Sequence, residues 1–225
     1  MITLGFGLSG SSQCGKSVTA ALSFALLIEN APKEDNLFLA LGYTQSSAVN
    51  NIFECGGFGL IAYFANKCRM CKYRGPSGKL KTAIDALEIK TKTGIKYVVP
   101  FGTNTKTSNN VYHGWRVAGA LIDEIDRACQ ESIDEVRQRI TTVENPHIIV
   151  TQNPNMEHHP IYTLLKELQD KGLVYYSHWV LDDNVGMSPE KIAKKKAEYD
   201  TNSIFYKRYV LRTTYKSKWF YLYNI

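Results

Sequence analysis

The sequence predicts an α/β protein with a mostly parallel central sheet flanked by helices and a β-hairpin insertion, and three observations carry that prediction. Apolar runs of strand length end abruptly in polar residues: Ile2–Leu8 before Gly10–Ser17, Val117–Ile122 before Asp123-Glu124, and His147–Val150 before Thr151-Gln152-Asn153. A segment without Gly or Pro, Val18–Ile28, follows the first of them and reads as a helix. The stretch GSSQCGKS, Gly10–Ser17, has the spacing G-x-x-x-x-G-K-[ST]. In open α/β sheets, residues at the carboxyl ends of buried strands gather around ligands.

Taken in order, the first strand run leads into the glycine-rich loop. Gly10 and Gly15 let the backbone curl until successive N–H groups point inward, and the positive end of the following helix adds to the field. Ser11, Ser12, Gln13 and Cys14 fill the loop between them. Lys16 is placed to reach the β/γ-phosphates of a nucleotide and the Ser17 hydroxyl to ligate Mg²⁺, so ATP and Mg²⁺ are the expected cofactors. The helix stops before Asn30-Ala31-Pro32. Asn36–Tyr43 (NLFLALGY) is a nearly continuous apolar run, as expected of a strand buried on both faces. Lys67–Lys81 is basic and contains glycines, and reads as an exposed connection, with DNA contact the less favoured alternative. Leu87–Pro100 alternates apolar and polar residues on both sides of Thr93-Gly94, the pattern of a β-hairpin with one solvated face.

The run Val117–Glu124 (VAGALIDE) delivers two carboxylates at the end of a buried strand. Asp123 is expected to support Mg²⁺, often through water, and Glu124 to act as general base toward the attacking water. These two and Gly10–Ser17 are expected to meet across neighbouring strands. A third strand, from His147, brings Thr151 and Asn153 beside the γ-phosphate. Together these narrow the class to a P-loop NTPase of the ASCE type. Ser188-Pro189-Glu190 then opens a helix through about Tyr199, with Lys191, Lys194, Lys195 and Lys196 on a solvated face.

Composition bounds the rest. A chain of 225 residues, 44% hydrophobic and 21% charged, fits one principal globular domain, and no apolar run approaches the roughly 20 residues of a membrane span. The net charge of +6 permits contact with a polyanion without requiring it. Five cysteines at irregular spacing argue against a disulfide framework. Cys68-Arg-Met-Cys71 has the spacing of half a zinc site whose remainder would come from Cys55 and a distant His such as His113; free thiols are the simpler reading.

GSSQCGKS, HGWRVAGALIDE and TQNPNMEHHPIY, in that order, resemble the large terminase subunit of tailed bacteriophages, specifically its N-terminal packaging ATPase domain. LDDNVGMSPEKI and SIFYKRYVL look like the segment that leaves that domain. The resemblance implies ATP-driven packaging of double-stranded DNA into a preformed capsid, by a homo-oligomeric ring at the portal with a small terminase partner, in the host cytoplasm and away from membranes. It implies that Lys16, Ser17, Asp123 and Glu124 hold phosphate, metal and base, and that Thr151 and Asn153 belong to the motif coupling hydrolysis to movement. Many relatives carry an arginine where Ser12 stands, so Arg116 is the first candidate for an arginine acting in trans. The expected division is residues 1–185 for the ATPase domain and 186–225 for a helical segment with a basic-aromatic tail, truncated before the nuclease domain. No Asp or Glu occurs from Thr201 to Ile225, so a nuclease site is not expected from the tail; an interrupted gene or a DNA-contacting tail are its two readings. A nucleotide-binding subunit with little turnover and a helicase-like P-loop enzyme stay open as alternatives.

Overall fold

The computed structural model describes residues 6–10, 14–104, 109–140, 143–144, 146–153, 160–203 and 206. Strand β1 (Phe6–Gly10) leads into helix α1 (Lys16–Asn30), which turns Ala20, Ala21, Phe24, Ala25 and Ile28 inward as one stripe. The helix ends where Ala31 takes up extended backbone ahead of Pro32. Strand β2 (Leu37–Gly42) is buried along its whole length, as its unbroken apolar run requires. Helix α2 (Gln45–Ala48) follows, capped reciprocally by Thr44 and Ser47, then a π-helical turn (Val49–Glu54) and helix α3 (Leu60–Phe64).

Strands β3 (Cys68–Tyr73), β4 (Ile84–Thr91) and β5 (Gly94–Gly102) form an antiparallel meander, with Thr91 opposite Gly94 at the hairpin turn. Next come α4 (Asn109–Tyr112), β6 (Gly119–Ile122), α5 (Gln130–Ile140), β7 (His147–Gln152), α6 (Pro160–Asp170), β8 (Tyr175–Trp179) and α7 (Pro189–Ala197). The eight strands form one sheet in the order β3-β4-β5-β2-β6-β7-β1-β8. All pairs from β5 through β8 in that order are parallel.

Each face of the sheet is covered by its own core. Phe24, Ala25 and Ile28 of α1, with Ile52, Phe53, Leu60 and Phe64, pack on one face against Phe38, Ala40 and Leu121. Ile133, Val136 and Ile140 of α5 and Ile161, Leu165 and Leu168 of α6 pack on the other against Leu39, Leu41 and Ile122. Residues alternate between the two cores along β2 because successive strand side chains point to opposite faces.

Several sequence expectations need correction. The strand leading to the glycine-rich loop and the strand ending in Asp123 are not neighbours, because β7 lies between them. The basic stretch Lys67–Lys81 is not simply a loop but contains β3. An edge strand tolerates cations that a central strand would reject. Here Arg69 stands opposite Glu88 with Nε to Oε1 at 2.9 Å, and Lys72 opposite Asp85 with Nζ to Oδ1 at 2.7 Å.

The polar positions of the hairpin do not form one solvated face either: Lys90 and Lys92 are exposed, but two others are buried. Glu88 is 7% exposed and Lys96 is fully buried, its ammonium donating to the carbonyls of Ala31 and Asp35 at 3.1 Å each and to that of Pro32. The register sets Glu88 opposite Tyr97 and Lys96 opposite Ile89, so the two polar residues lie on opposite faces of the sheet, and the carbonyls after α1 stand in for water at Lys96. Burial pulls the Lys96 pKa down, while Asp35 and Glu34 oppose that shift.

Cys68 and Cys71 lie three residues apart on a strand and pack against opposite cores, so they cannot share an ion. All five cysteines are free, and no cluster of metal-ligating side chains occurs among the described residues. The late helix opens at Ser188, whose Oγ accepts from the Lys191 N–H, and ends at Ala197. Among the described residues no helix is long and apolar enough to cross a membrane. The tail expected to be basic and aromatic lies outside the described residues from Lys207 onward.

Candidate functional site

The described ends of the glycine-rich loop, Gly10 and Cys14–Gly15, lie between β1, α1 and β8. A Cβ on Gly10 would sit 2.5 Å from the Trp179 carbonyl oxygen and 2.7 Å from Cys14 Sγ, so only glycine fits there. Gly15 is the residue before α1 and has φ of 91°, the left-handed backbone that swings the chain from loop into helix. Lys16, 7% exposed, and half-buried Ser17 therefore stand in the first turn of α1, where unbonded N–H groups create positive potential. Ser11, Ser12 and Gln13 lie outside the described residues; Cys14 is buried.

At the end of β6, Asp123 is 4% exposed and each carboxylate oxygen has a donor. Thr151 Oγ1 donates to Oδ1 at 2.5 Å and Asn51 Nδ2 to Oδ2 at 2.8 Å. Burial is the largest influence on this carboxyl and pushes its pKa up; the hydrogen bonds from Thr151 and Asn51 and the Lys16 ammonium pull it down, while Glu124 adds to the upward push.

Glu124 adopts φ of 52° and ψ of 52°, a left-handed conformation uncommon outside glycine. Its N–H donates to Thr151 Oγ1 at 3.0 Å, so one buried hydroxyl holds both acidic residues. Asn153 Nδ2 reaches Glu124 Oε1 at 3.1 Å, and Arg127 reaches Oε2 at 2.7 Å while its guanidinium lies 4.2 Å from the centre of the Tyr43 ring. The Asn153 N–H donates to Asp126 Oδ1 at 3.1 Å, fixing the end of β7 against the turn after β6.

Lys16, Ser17, Asp123, Glu124 and Asn153 line one cleft of about 270 Å³ together with Asn50, Asn51, Cys55 and Gly56. Thr151 lies behind it, fully buried. Arg116 is not part of the cluster: it precedes β6, at the opposite end of that strand from Asp123, and pairs with Asp35 Oδ1 at 2.8 Å and the Glu34 carbonyl at 3.0 Å. Sequence reasoning missed Asn51 and Arg127. Asn51 is 72 residues from its partner and lies in a short turn without periodicity. Arg127 could have been found, since its spacing of three from Glu124 is that of a helical ion pair.

Residues 8–218 match the family described as terminase large subunit, T4likevirus-type, N-terminal. The chain belongs to that family. No curated protein matches the chain. Among solved structures, the large terminase from a thermophilic bacteriophage is similar with a TM-score of 0.75 and 20% identity, covering 92% of this chain and 47% of that one. The same thermophilic-phage terminase in complex with ADP gives a TM-score of 0.75 at 20% identity over 93% of this chain and 48% of that one. The HK97 bacteriophage large terminase gives 0.62 at 16% identity, over 94% and 47%. This chain thus spans about half the length of the terminases it matches, with which it shares the fold.

Proposed function

We propose that this chain is the ATP-hydrolysing motor domain of a phage terminase, driving double-stranded DNA into a capsid. The observation that carries the reading is the cleft at the carboxyl end of the parallel strands, where Lys16, Ser17, Asp123, Glu124 and Asn153 converge. Family membership supports it, as does the fold shared with the thermophilic-phage terminase, which has been captured with ADP and with ATP-gamma-S.

In this reading Lys16 and the N-terminus of α1 hold the β/γ-phosphates. Ser17 and Asp123 would hold Mg²⁺: both turn hard oxygen donors to one cleft, and the residues fit the ion because Asp123 keeps a lone pair on each oxygen beyond the one its donor uses. When bound, the ion supplies neutralisation of the charge developing on the phosphates. Glu124 takes the proton of the attacking water on a lone pair that Arg127 and Asn153, each holding one of its oxygens, leave open to the cleft. Thr151 and Asn153 tie the base to β7. An arginine from a neighbouring subunit of a ring completes the site, Arg116 being the candidate, so the isolated chain turns over weakly. Portal and small terminase subunit are the further partners, in the host cytoplasm. Residues 186–225 lead away from the ATPase domain of 1–185; α7 buries none of its residues.

Glu124→Gln should keep ATP binding and nearly abolish hydrolysis, whereas Lys16→Ala should impair both, because one loses the base and the other the phosphate clamp. Nucleotide affinity and DNA-stimulated turnover decide it; a Gln variant that still turns over removes Glu124 from the role. A nucleotide-binding subunit with little turnover is the second reading, favoured by the double engagement of the Glu124 carboxylate. Absence of ATP hydrolysis with double-stranded DNA present would select it.

A further inference from the structure

Between α2 and α3 the chain adopts a conformation that is locally unfavourable. Val49–Glu54 winds as a π-helical turn, and three successive left-handed residues end it: Cys55 with φ of 43°, Gly56 with 60° and Gly57 with 89°. The π register is rare and frequently found at functional sites, and a left-handed cysteine is strained relative to glycine there. A conformation of this kind persists only where its surroundings fix it.

What the turn achieves is visible at Asn51. Its amide crosses to Asp123 Oδ2, while Thr151 occupies Oδ1 from the other side. The carboxylate is thus gripped by β7 on one side and the π-turn on the other, with its remaining lone pairs available to the cleft. Asn50, Cys55 and Gly56 of the same turn also line that cleft beside Lys16 and Ser17. Two neutral donors orient the carboxylate without cancelling its charge, which is how outer partners hold a metal-supporting group.

We propose that Asn51 is a positioning residue for the nucleotide–metal complex, orienting the Asp123 carboxylate and tying the segment from α2 to Gly57 to metal occupancy. The inference rests on the functional reading of the cleft given above. An alanine at 51 leaves Asp123 held from one side only; an aspartate keeps the shape, loses the donor and sets a second negative charge against Oδ2.

The test uses the full chain and a fluorescent N-methylanthraniloyl-ADP, titrated with and without Mg²⁺. Asn51→Ala and Asn51→Asp should retain metal-free affinity within about two-fold, while the Mg²⁺ concentration that gives half of the metal-dependent gain in affinity rises about ten-fold or more, the usual cost of losing an outer partner. Asn51→Gln, which keeps the amide, should recover part of that loss. Parent-like Mg²⁺ dependence in both Ala and Asp variants, with binding abolished in Lys16→Ala, overturns the Asn51 inference alone. Intact binding in Lys16→Ala overturns the reading of the cleft and the inference with it. Loss of metal-free binding, or of the folded state, in both Asn51→Ala and Asn51→Asp would make Asn51 structural and overturn the inference too.

Discussion

Replacing Thr151 by valine removes one oxygen and keeps a β-branched side chain suited to a buried strand. That oxygen donates to Asp123 Oδ1 at 2.5 Å and accepts the Glu124 N–H at 3.0 Å, and the residue is fully buried. The substitution therefore leaves a buried carboxylate oxygen and a backbone N–H without their partner, at about 1–3 kcal/mol each, for a loss of roughly 2–6 kcal/mol. In a domain of this size that corresponds to a fall in Tm of roughly 4–24 °C. Turnover should fall further than stability implies, by about 100-fold, because Asp123 and Glu124 lose their common reference and a displacement of about 1 Å is enough for that. Thr151→Ser keeps the hydroxyl and should cost only about 1 kcal/mol for the missing methyl, with turnover near the parent's. Urea unfolding followed by circular dichroism gives the first quantity and a phosphate-release assay the second. A valine variant within about 0.5 kcal/mol of the parent, with unchanged turnover, would refute the view that this hydroxyl organises the acidic pair.

Arg127→Ala should change stability by less than about 1 kcal/mol, since the Arg127–Glu124 pair is partly exposed, yet raise the basal turnover of the isolated chain by freeing Glu124 Oε2; a fall would mean that Arg127 holds the productive geometry instead. Lys96→Met should lose about 1–3 kcal/mol, because the Asp35 carbonyl loses its ammonium donor while those of Ala31 and Pro32 keep only Thr93 Oγ1 and the Asp35 N–H, and should leave nucleotide affinity untouched at the far end of the sheet; a stable variant would show that water replaces the ammonium. The 225-residue polypeptide should not nick supercoiled plasmid with Mg²⁺ or Mn²⁺, since Thr201–Ile225 contains no carboxylate to hold such ions; chelator-sensitive nicking that persists in Glu124→Gln would reveal a second acidic site.

The parallel strands were legible because burial on both faces demands an apolar run, and β2, β6 and β7 each have one. The chemistry at their ends was legible too, since Gly10, Gly15, Lys16 and Asp123-Glu124 stand adjacent in sequence to the strands that deliver them. β3 was hidden because an edge strand need not alternate cleanly: Arg69 and Met70 are both exposed. Lys96 and Glu88 misled for a different reason, in that a polar residue facing a core element with satisfied partners looks the same in sequence as one facing water. β8 (YYSHW) drew no expectation, its polar side chains obscuring a strand whose Trp179 lies against Gly10. Asn51 and the turn that carries it follow from contacts across the fold, which no local pattern encodes.

The charged outer strand also limits how copies of this chain can come together. Among the described residues β3 has a strand on one side only, and it carries the cations of Arg69 and Lys72, each paired with a carboxylate of β4 and with its side chain largely in solvent. Two such edges brought side by side would set like charges against each other at the spacing of paired strands, about 5 Å, before any backbone hydrogen bond formed. Continuous-sheet growth through this edge is thereby disfavoured. Copies of this chain therefore meet more readily through the β8 edge, the helices or the loops than through β3.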